Sequence, residues 1–338
     1  LNQKAHLALS GASLAVAIGL VVAMPHLVGV GWEDVWHRLG EVGPWRSAGL
    51  FGLWLAGLAT YTYVLVASLP GLTHWRAFQL NAAGSGVSNL LPLGGALGVA
   101  ATFTMARPWG HSIRAITVST VVTGVWNVLA RMLLPAFGII ALVAVGEVPS
   151  RQLSVAAATA GLTLLVIAGI IGSALRWESV AVSADRLLQR IGDHLPLRLG
   201  DLLRSAGSAL LKVRADTLEI LQTGWAVLTL GMLGYFALQG MLLSGCLGAA
   251  GETLPLAELI AVFSVNRVLT SAVVTPGGSG ITETATAAAM IHFGVDAGPA
   301  ATAVVLYSFF THLIEIPLGG LIWVGWLLRR PAQPLPET

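Results

Sequence analysis

Thr275-Pro276-Gly277-Gly278-Ser279-Gly280-Ile281-Thr282-Glu283 sets a proline, three glycines and a carboxylate inside a long apolar region. An unbroken lipid-spanning helix is poorly served by that composition, because proline removes a backbone donor and glycine weakens a helix interior. A helix broken at membrane depth is tolerated where protein or a water-filled cavity satisfies the freed backbone groups. The stretch therefore predicts the wall of a polar pocket inside the bilayer, between half-helices at 255–274 and 281–293.

The surrounding 338 residues are 55% hydrophobic and only 10% charged, with a mean hydropathy of +0.80. A soluble domain carries about 25% charged residues, so the fold class is an all-α polytopic membrane protein. A net charge of +2 without a basic stripe gives no reason to expect a nucleic-acid partner. Cys246 is alone, and the histidines are scattered, so no metal site is expected. Gly277-Gly278-Ser279-Gly280 lacks the lysine of a phosphate-binding P-loop, and no cofactor is implied. Because the chain starts at Leu1 and not Met, its N-terminus is expected to have been trimmed, and the first apolar run is too long for a signal-peptide core.

Crossing hydrocarbon takes roughly 20 apolar residues. Such runs occur at 6–30, 47–69, 116–145, 152–175, 221–249 and 300–328, which makes about six spans. Between the first two, Trp32, Val35, Trp36, Leu39, Val42 and Trp45 recur at helical spacing among charges, the pattern of an interfacial helix over 31–46. Residues 77–106 carry no charge but hold Asn81, Asn89, Pro92, Gly94, Gly95 and Gly98, and read as a second broken or re-entrant pair meeting near Pro92. The polar segment 176–217 reads as an amphipathic surface helix, and 331–338 as a terminal tail.

The order of elements repeats. Residues 1–150 run span, interfacial helix, span, broken pair, span, and 151–330 follow the same order. An offset of 184 places Pro92 on Pro276, Gly94 on Gly278, Thr102 on Thr286 and Gly110 on Gly294. Three spans per half invert the second half relative to the first. With both termini in the cytoplasm, Arg76, Arg107, Arg114, Arg329, Arg330 and the basic residues of 176–217 fall inside, the expected positive-inside bias in an inner membrane. Inverted halves with broken helices near the midplane are a transporter architecture.

At Asn89-Leu90-Leu91-Pro92-Leu93-Gly94-Gly95 and at Pro276-Gly277-Gly278-Ser279-Gly280-Ile281-Thr282-Glu283 the chain resembles the transmembrane, flippase-like domain of the lysylphosphatidylglycerol synthase/flippase family. The resemblance covers nearly the whole chain and implies a domain that moves lipid head groups between leaflets. The soluble aminoacyl-transferase domain of the full synthase is not in these residues, so lysyl transfer is not inferred. The chain departs from the family pattern at Tyr307-Ser308, where an arginine is expected, and at Asn127 and Arg131, which stand where an acidic–arginine pair is expected.

Glu283 is the leading candidate for a functional side chain, since a charge at membrane depth is costly. It either titrates or meets a cationic head group, or it stabilises the first turn of a helix capped by Thr282 or Ser279. Arg131 and Arg267 suit a lipid phosphate, or else form ion pairs with Glu283 or Glu315; Asn127, one turn from Arg131, orients it. His312 and Glu315 share a helix face as a proton relay or a polar lock. Asn89, Pro92, Gly94, Gly95, Pro276, Gly277, Gly278, Ser279 and Gly280 shape half-helix ends whose N–H groups can hold an anion. The function expected from all this is translocation of an anionic phospholipid or polyprenyl-phosphate lipid. A membrane-embedded transferase acting on lipid-linked substrates and a small-solute secondary transporter are the alternatives, and the sequence leaves the oligomeric state open.

Overall fold

The computed structural model describes residues 22–90, 94–146, 178–193, 197–270 and 280–329, with isolated positions at 19, 155, 159, 162, 163, 166, 169 and 173. The described residues are helical with no strand. The helices are α1 (Trp32–Gly40), α2 (Pro44–Ser68), α3 (His74–Leu90), α4 (Gly94–Ala106), α5 (Ile113–Ala144), α6 (Glu178–Asp193), α7 (Leu197–Ala249), α8 (Leu256–Leu269), α9 (Ile281–His292), α10 (Ala297–Ser308) and α11 (Glu315–Arg329). A 3₁₀ turn, Arg107–Trp109, follows α4, and a π-helical turn, Phe309–Leu313, joins α10 to α11.

Four described stretches are long and apolar enough to cross a membrane: Pro44–Ser68, Ile113–Ala144, Arg214–Ala249 and Ala297–Arg329. They coincide with four of the six expected spans. The spans at 6–30 and 152–175 and the tail at 331–338 lie wholly or mainly outside the described residues.

Local sequence explains where these helices start and stop. Pro44 at the first position of α2 sacrifices no hydrogen bond there, and α2 ends just before Pro70, which excludes the helical conformation from the residue preceding it. Ser112 caps α5 by accepting the Ala115 N–H at 3.1 Å. α1 has Glu33 and Asp34 in its first turn and His37 and Arg38 in its last, both signs matched to the helix dipole. Trp36 and Trp45 stay exposed beside it, as an interfacial helix requires.

α7 corrects one expectation. The polar stretch up to 217 and the span from 221 are parts of one 53-residue helix, not a separate surface helix followed by a span. No proline falls between 197 and 249, and glycine costs an exposed helix only about 1 kcal/mol. The change in polarity near 217 marks a change of surroundings and not a helix end.

Both expected broken pairs are present as short antiparallel hairpins. In the first, Gly84 meets Gly98, and Ser88 Oγ donates to the Gly94 carbonyl at 2.9 Å. In the second, Asn266 on α8 donates to Thr286 Oγ1 on α9 at 3.0 Å. Residues 91–93 and 271–279, including Pro92, Pro276, Gly277, Gly278 and Ser279, lie outside the described residues.

The hairpins are held by the long helices in a crossed manner. α11 packs on α3, where Gly86 and Gly319 bring the two backbones together, and α5 packs on α8, where Gly138 faces Ala261. α7 runs antiparallel along α2 with Gly224, Gly231 and Gly234 against Ala67, Val64 and Thr60. Small residues permit this closeness in lipid, where packing replaces hydrophobic drive. The largest buried apolar cluster gathers α2, α7, α8 and α10 around Trp54, Leu58, Met232, Leu243, Val262 and Val304.

Candidate functional site

α5 carries a strictly spaced polar row, Ser119, Thr123, Asn127 and Arg131, each four residues from the next and therefore on one face. That face borders a half-open cavity of about 410 Å³ lined by residues of α2, α3, α4, α5 and α7. Across from the row stand Tyr61, Asn81, Ser85, Asn89, Thr102 and Tyr235. From Ser119 to Arg131 is twelve residues, about 18 Å of helix at 1.5 Å per residue.

Arg131 is fixed at its end of the cavity. Its Nε donates to Asn127 Oδ1 at 2.9 Å and its Nη1 to Thr270 Oγ1 at 3.1 Å. The Thr270 hydroxyl in turn donates to the Arg267 carbonyl at 2.8 Å, tying the α5 cation to the C-terminal end of α8. Asn127 thus orients Arg131, as its spacing implied.

Arg267 itself is only 6% exposed. Its Nε and Nη2 converge on Asn266 Oδ1 at 2.9 and 2.8 Å, and Nη2 also donates to the Tyr307 hydroxyl at 2.8 Å. The Tyr307 hydroxyl donates to Gln239 Oε1 at 3.0 Å, and Gln239 Nε2 donates to the Tyr235 hydroxyl at 3.2 Å, which reaches the cavity. The guanidinium also lies over the rings of Phe263 and Tyr307, at 5.3 and 5.8 Å. Among the described residues no carboxylate lies within ion-pair distance of Arg267, so the expected pairing with Glu283 or Glu315 is not what holds it.

Glu283 is 3% exposed and caps a helix. Its Oε2 accepts the Gly280 N–H at 2.6 Å and its Oε1 accepts the Ser308 hydroxyl at 2.8 Å. The N-cap is Gly280, not Thr282 or Ser279, and its φ of +88° is one a side chain disfavours. The Gly280 N–H, one of the groups expected to greet a ligand anion, is therefore occupied by the chain's own carboxylate. Glutamine at the same helix position makes the same reciprocal bond. Glu283→Gln is thus expected to keep stability within a few tenths of a kcal/mol, whereas Glu283→Ala loses about 1 kcal/mol, as thermal unfolding in detergent would measure.

Glu315 and His312 meet the cavity through Asn89. The π turn, with Ile314 N donating to Phe309 O at 2.9 Å, leaves carbonyls turned out of the ordinary ladder. Asn89 Nδ2 lies 3.2 Å from Thr311 O, 3.4 Å from His312 O and 3.2 Å from Glu315 Oε2. Ser85 and the Trp54 indole N–H, which is buried and short of good geometry to any acceptor, stand against the same carboxylate. The Thr311 hydroxyl and His312 Nδ1 share a hydrogen bond at 3.0 Å.

Asn89, Gly95, Asn127 and Arg131 therefore line one cavity, and Glu315, His312 and Arg267 join it through one intermediary or a short chain of them. Gly94 is buried beneath Ser88 and does not line it, and Glu283 and Gly280 stand apart from its lining. The sequence reading missed Ser85, Thr102, Thr120, Thr123, Tyr235, Gln239 and Tyr307. The four-residue rhythm leading back from Arg131 to Ser119 was the signal available for part of that set.

A family model for the lysylphosphatidylglycerol synthase TM region matches residues 11–319. No curated protein matches the chain. A match over most of the 338 residues, on helices apolar enough to span lipid, makes the chain an integral membrane protein that belongs to the lysylphosphatidylglycerol synthase TM region family.

Proposed function

We propose that the chain is a lipid translocase, passing an anionic head group between leaflets through the cavity beside α5 while the tails remain in hydrocarbon. The observation that carries this reading is the cavity's polar row, about 18 Å long against a hydrocarbon core of about 30 Å, ending in a half-buried arginine whose fork suits phosphate oxygens. A family named for a lipid synthase is consistent with a lipid-related role. Arg131 is the phosphate contact. Arg267 adds positive charge behind it through Tyr307, Gln239 and Tyr235. Asn89 and Glu315 form the joint between the first hairpin and the last long helix.

In this reading 1–150 and 151–330 are inverted repeats in an inner membrane, with both termini cytoplasmic. Supporting the repeat, a shift of 184 carries α5, at 113–144, onto 297–328, where α10, the π turn and α11 run from 297 to 329. Gly110 and Gly294, matched by the same shift, both have left-handed φ, of +95° and +89°. The crossed packing is also reciprocal under it, α5 on α8 and α11 on α3. Arg131 maps onto Glu315, so the two halves place opposite charges at related positions.

The test is a scrambling assay on purified protein in vesicles, with head-group-labelled lipid quenched from outside. The expected result is inward movement faster than in protein-free vesicles; equal rates for every lipid class would remove the translocation reading.

A further inference from the structure

The direction of each hydrogen bond between Arg267 and the cavity follows from the chemistry of its members. A guanidinium donates and never accepts, so Arg267 Nη2 fills a lone pair of the Tyr307 hydroxyl at 2.8 Å. Tyr307 is 1% exposed, and among the described residues its one proton has a single acceptor, Gln239 Oε1 at 3.0 Å. Turning the Gln239 amide over would set N–H groups against that proton and strand it in a dry interior, which is costly. The amide is therefore held with Oε1 toward Tyr307 and Nε2 toward the Tyr235 hydroxyl oxygen, at 3.2 Å. A phenol oxygen that accepts there keeps its own proton, and no described residue takes it. Tyr235 lines the cavity, so its O–H is left to donate into that space.

Tyr235 also stands level with Arg131. The Ser119 hydroxyl meets that of Ser68 at 2.7 Å, and a Cβ on Gly224 would lie 3.2 Å from the Ala67 carbonyl oxygen. The Trp126 indole N–H donates to Thr229 Oγ1 at 3.1 Å. α5 at 119 is thus abreast of α7 near 224, and at 126 abreast of 229, so the two helices advance in the same direction. Arg131 lies five residues beyond the Trp126 contact and Tyr235 six beyond Thr229, a rise of about 7.5 and 9 Å. Both border the same cavity.

We propose that Tyr235 is a second contact to the phosphate at Arg131, its hydroxyl kept as a donor by the one-way chain Arg267, Tyr307, Gln239. This rests on the translocation reading above and adds to it a contact residue with three positioning residues behind it. Arg267 and Tyr307 do not line the cavity. They fix the amide, and the amide fixes where Tyr235 points its proton. Each bond in such a chain also polarises the next, strengthening the last donor.

The test is a neutral double-mutant cycle read as affinity for dioctanoyl phosphatidylglycerol, on purified protein in detergent. Tyr235→Phe deletes the donor and keeps the ring, so binding should weaken by about ten-fold or more, the worth of a hydrogen bond to a charged group. Tyr307→Phe changes no atom on the cavity wall. It frees the Gln239 amide to turn and draw the Tyr235 proton inward, and binding should weaken by roughly three- to ten-fold. In the double variant the second change should add less than about two-fold, because the atom it acts through is gone. Should Tyr307→Phe fail to fold, Gln239→Met removes the amide without adding charge, and its loss should likewise vanish in the Tyr235→Phe background. Losses that multiply would make Tyr307 a packing residue and overturn the inference, as would wild-type affinity in Tyr235→Phe. Inorganic phosphate, run beside the lipid, separates free phosphate from a lipid phosphodiester; the predicted cycle with either probe supports the contact. Scrambling in vesicles is read separately. Tyr235→Phe binding and moving lipid like the wild type removes the contact and leaves translocation standing. The predicted cycle in binding, with no lipid moving in vesicles, removes translocation and leaves the contact. A wild-type protein that binds neither probe overturns the contact as well.

Discussion

Replacing Arg131 by glutamine is expected to slow translocation of an anionic lipid by roughly ten- to a hundred-fold, because a hydrogen bond to a charged group contributes about 1.5–3 kcal/mol. The fold should survive the change. Two of the groups that hold Arg131, Asn127 and Thr270, are neutral, and a glutamine amide leaves no stranded charge on either. Arg131→Lys keeps the charge but loses the planar fork, so its rate should fall between the two. The decisive comparison is the initial rate in vesicles for protein of equal thermal stability. A glutamine variant moving anionic lipid at the wild-type rate would place the phosphate contact elsewhere.

The second large effect is structural and lies in the seam between α3 and α11. A Cβ on Gly319 would stand 2.5 Å from the Ala82 carbonyl oxygen and 2.9 Å from Gly86 Cα. Both are backbone atoms, so no side-chain rotation relieves the clash. Overpacking a tight site typically costs about 1–3 kcal/mol, and Gly319→Leu should lie at or beyond the top of that range, seen as a fall in melting temperature or as aggregation in detergent. The seam also positions Asn89 against Glu315, so any surviving folded fraction should be slow in translocation. Gly320 supplies the control: it is exposed with open space around it, and Gly320→Leu should be neutral. Equal melting temperatures for the two variants would contradict the close approach described here.

Much of this was written in the sequence at the level of elements. Composition and apolar run length located the four described long helices, and proline and glycine clusters within apolar stretches located both hairpins, because lipid restricts the backbone to so few solutions. Asn127 and Arg131 were legible from spacing alone. Glu283 showed the limit of that approach. A carboxylate at depth looks the same in sequence whether it faces a ligand or caps its own helix, and only the 2.6 Å bond from Gly280 decides what it does here. The network through Tyr307, Gln239 and Tyr235 was also invisible, since Tyr307 and Gln239 are 68 residues apart and meet only through tertiary packing. The π turn left no local mark either. It arises where Asn89, more than 220 residues earlier, takes up the carbonyls that the turn releases.

The unbroken helix α7 has a mechanical implication. At 1.5 Å per residue its 53 residues measure about 80 Å, whereas a bilayer with its head groups is about 40–45 Å thick, so the helix is much longer than a crossing needs. The glycines that seat it on α2 cluster around Gly231, leaving an arm toward Leu197 nearly twice the length of the arm toward Ala249. Tyr235, on the wall of the cavity, sits just past that pivot. A sideways push on the Leu197 end would thus be transmitted as a small, stiff displacement of the cavity wall, at a distance from the cavity itself.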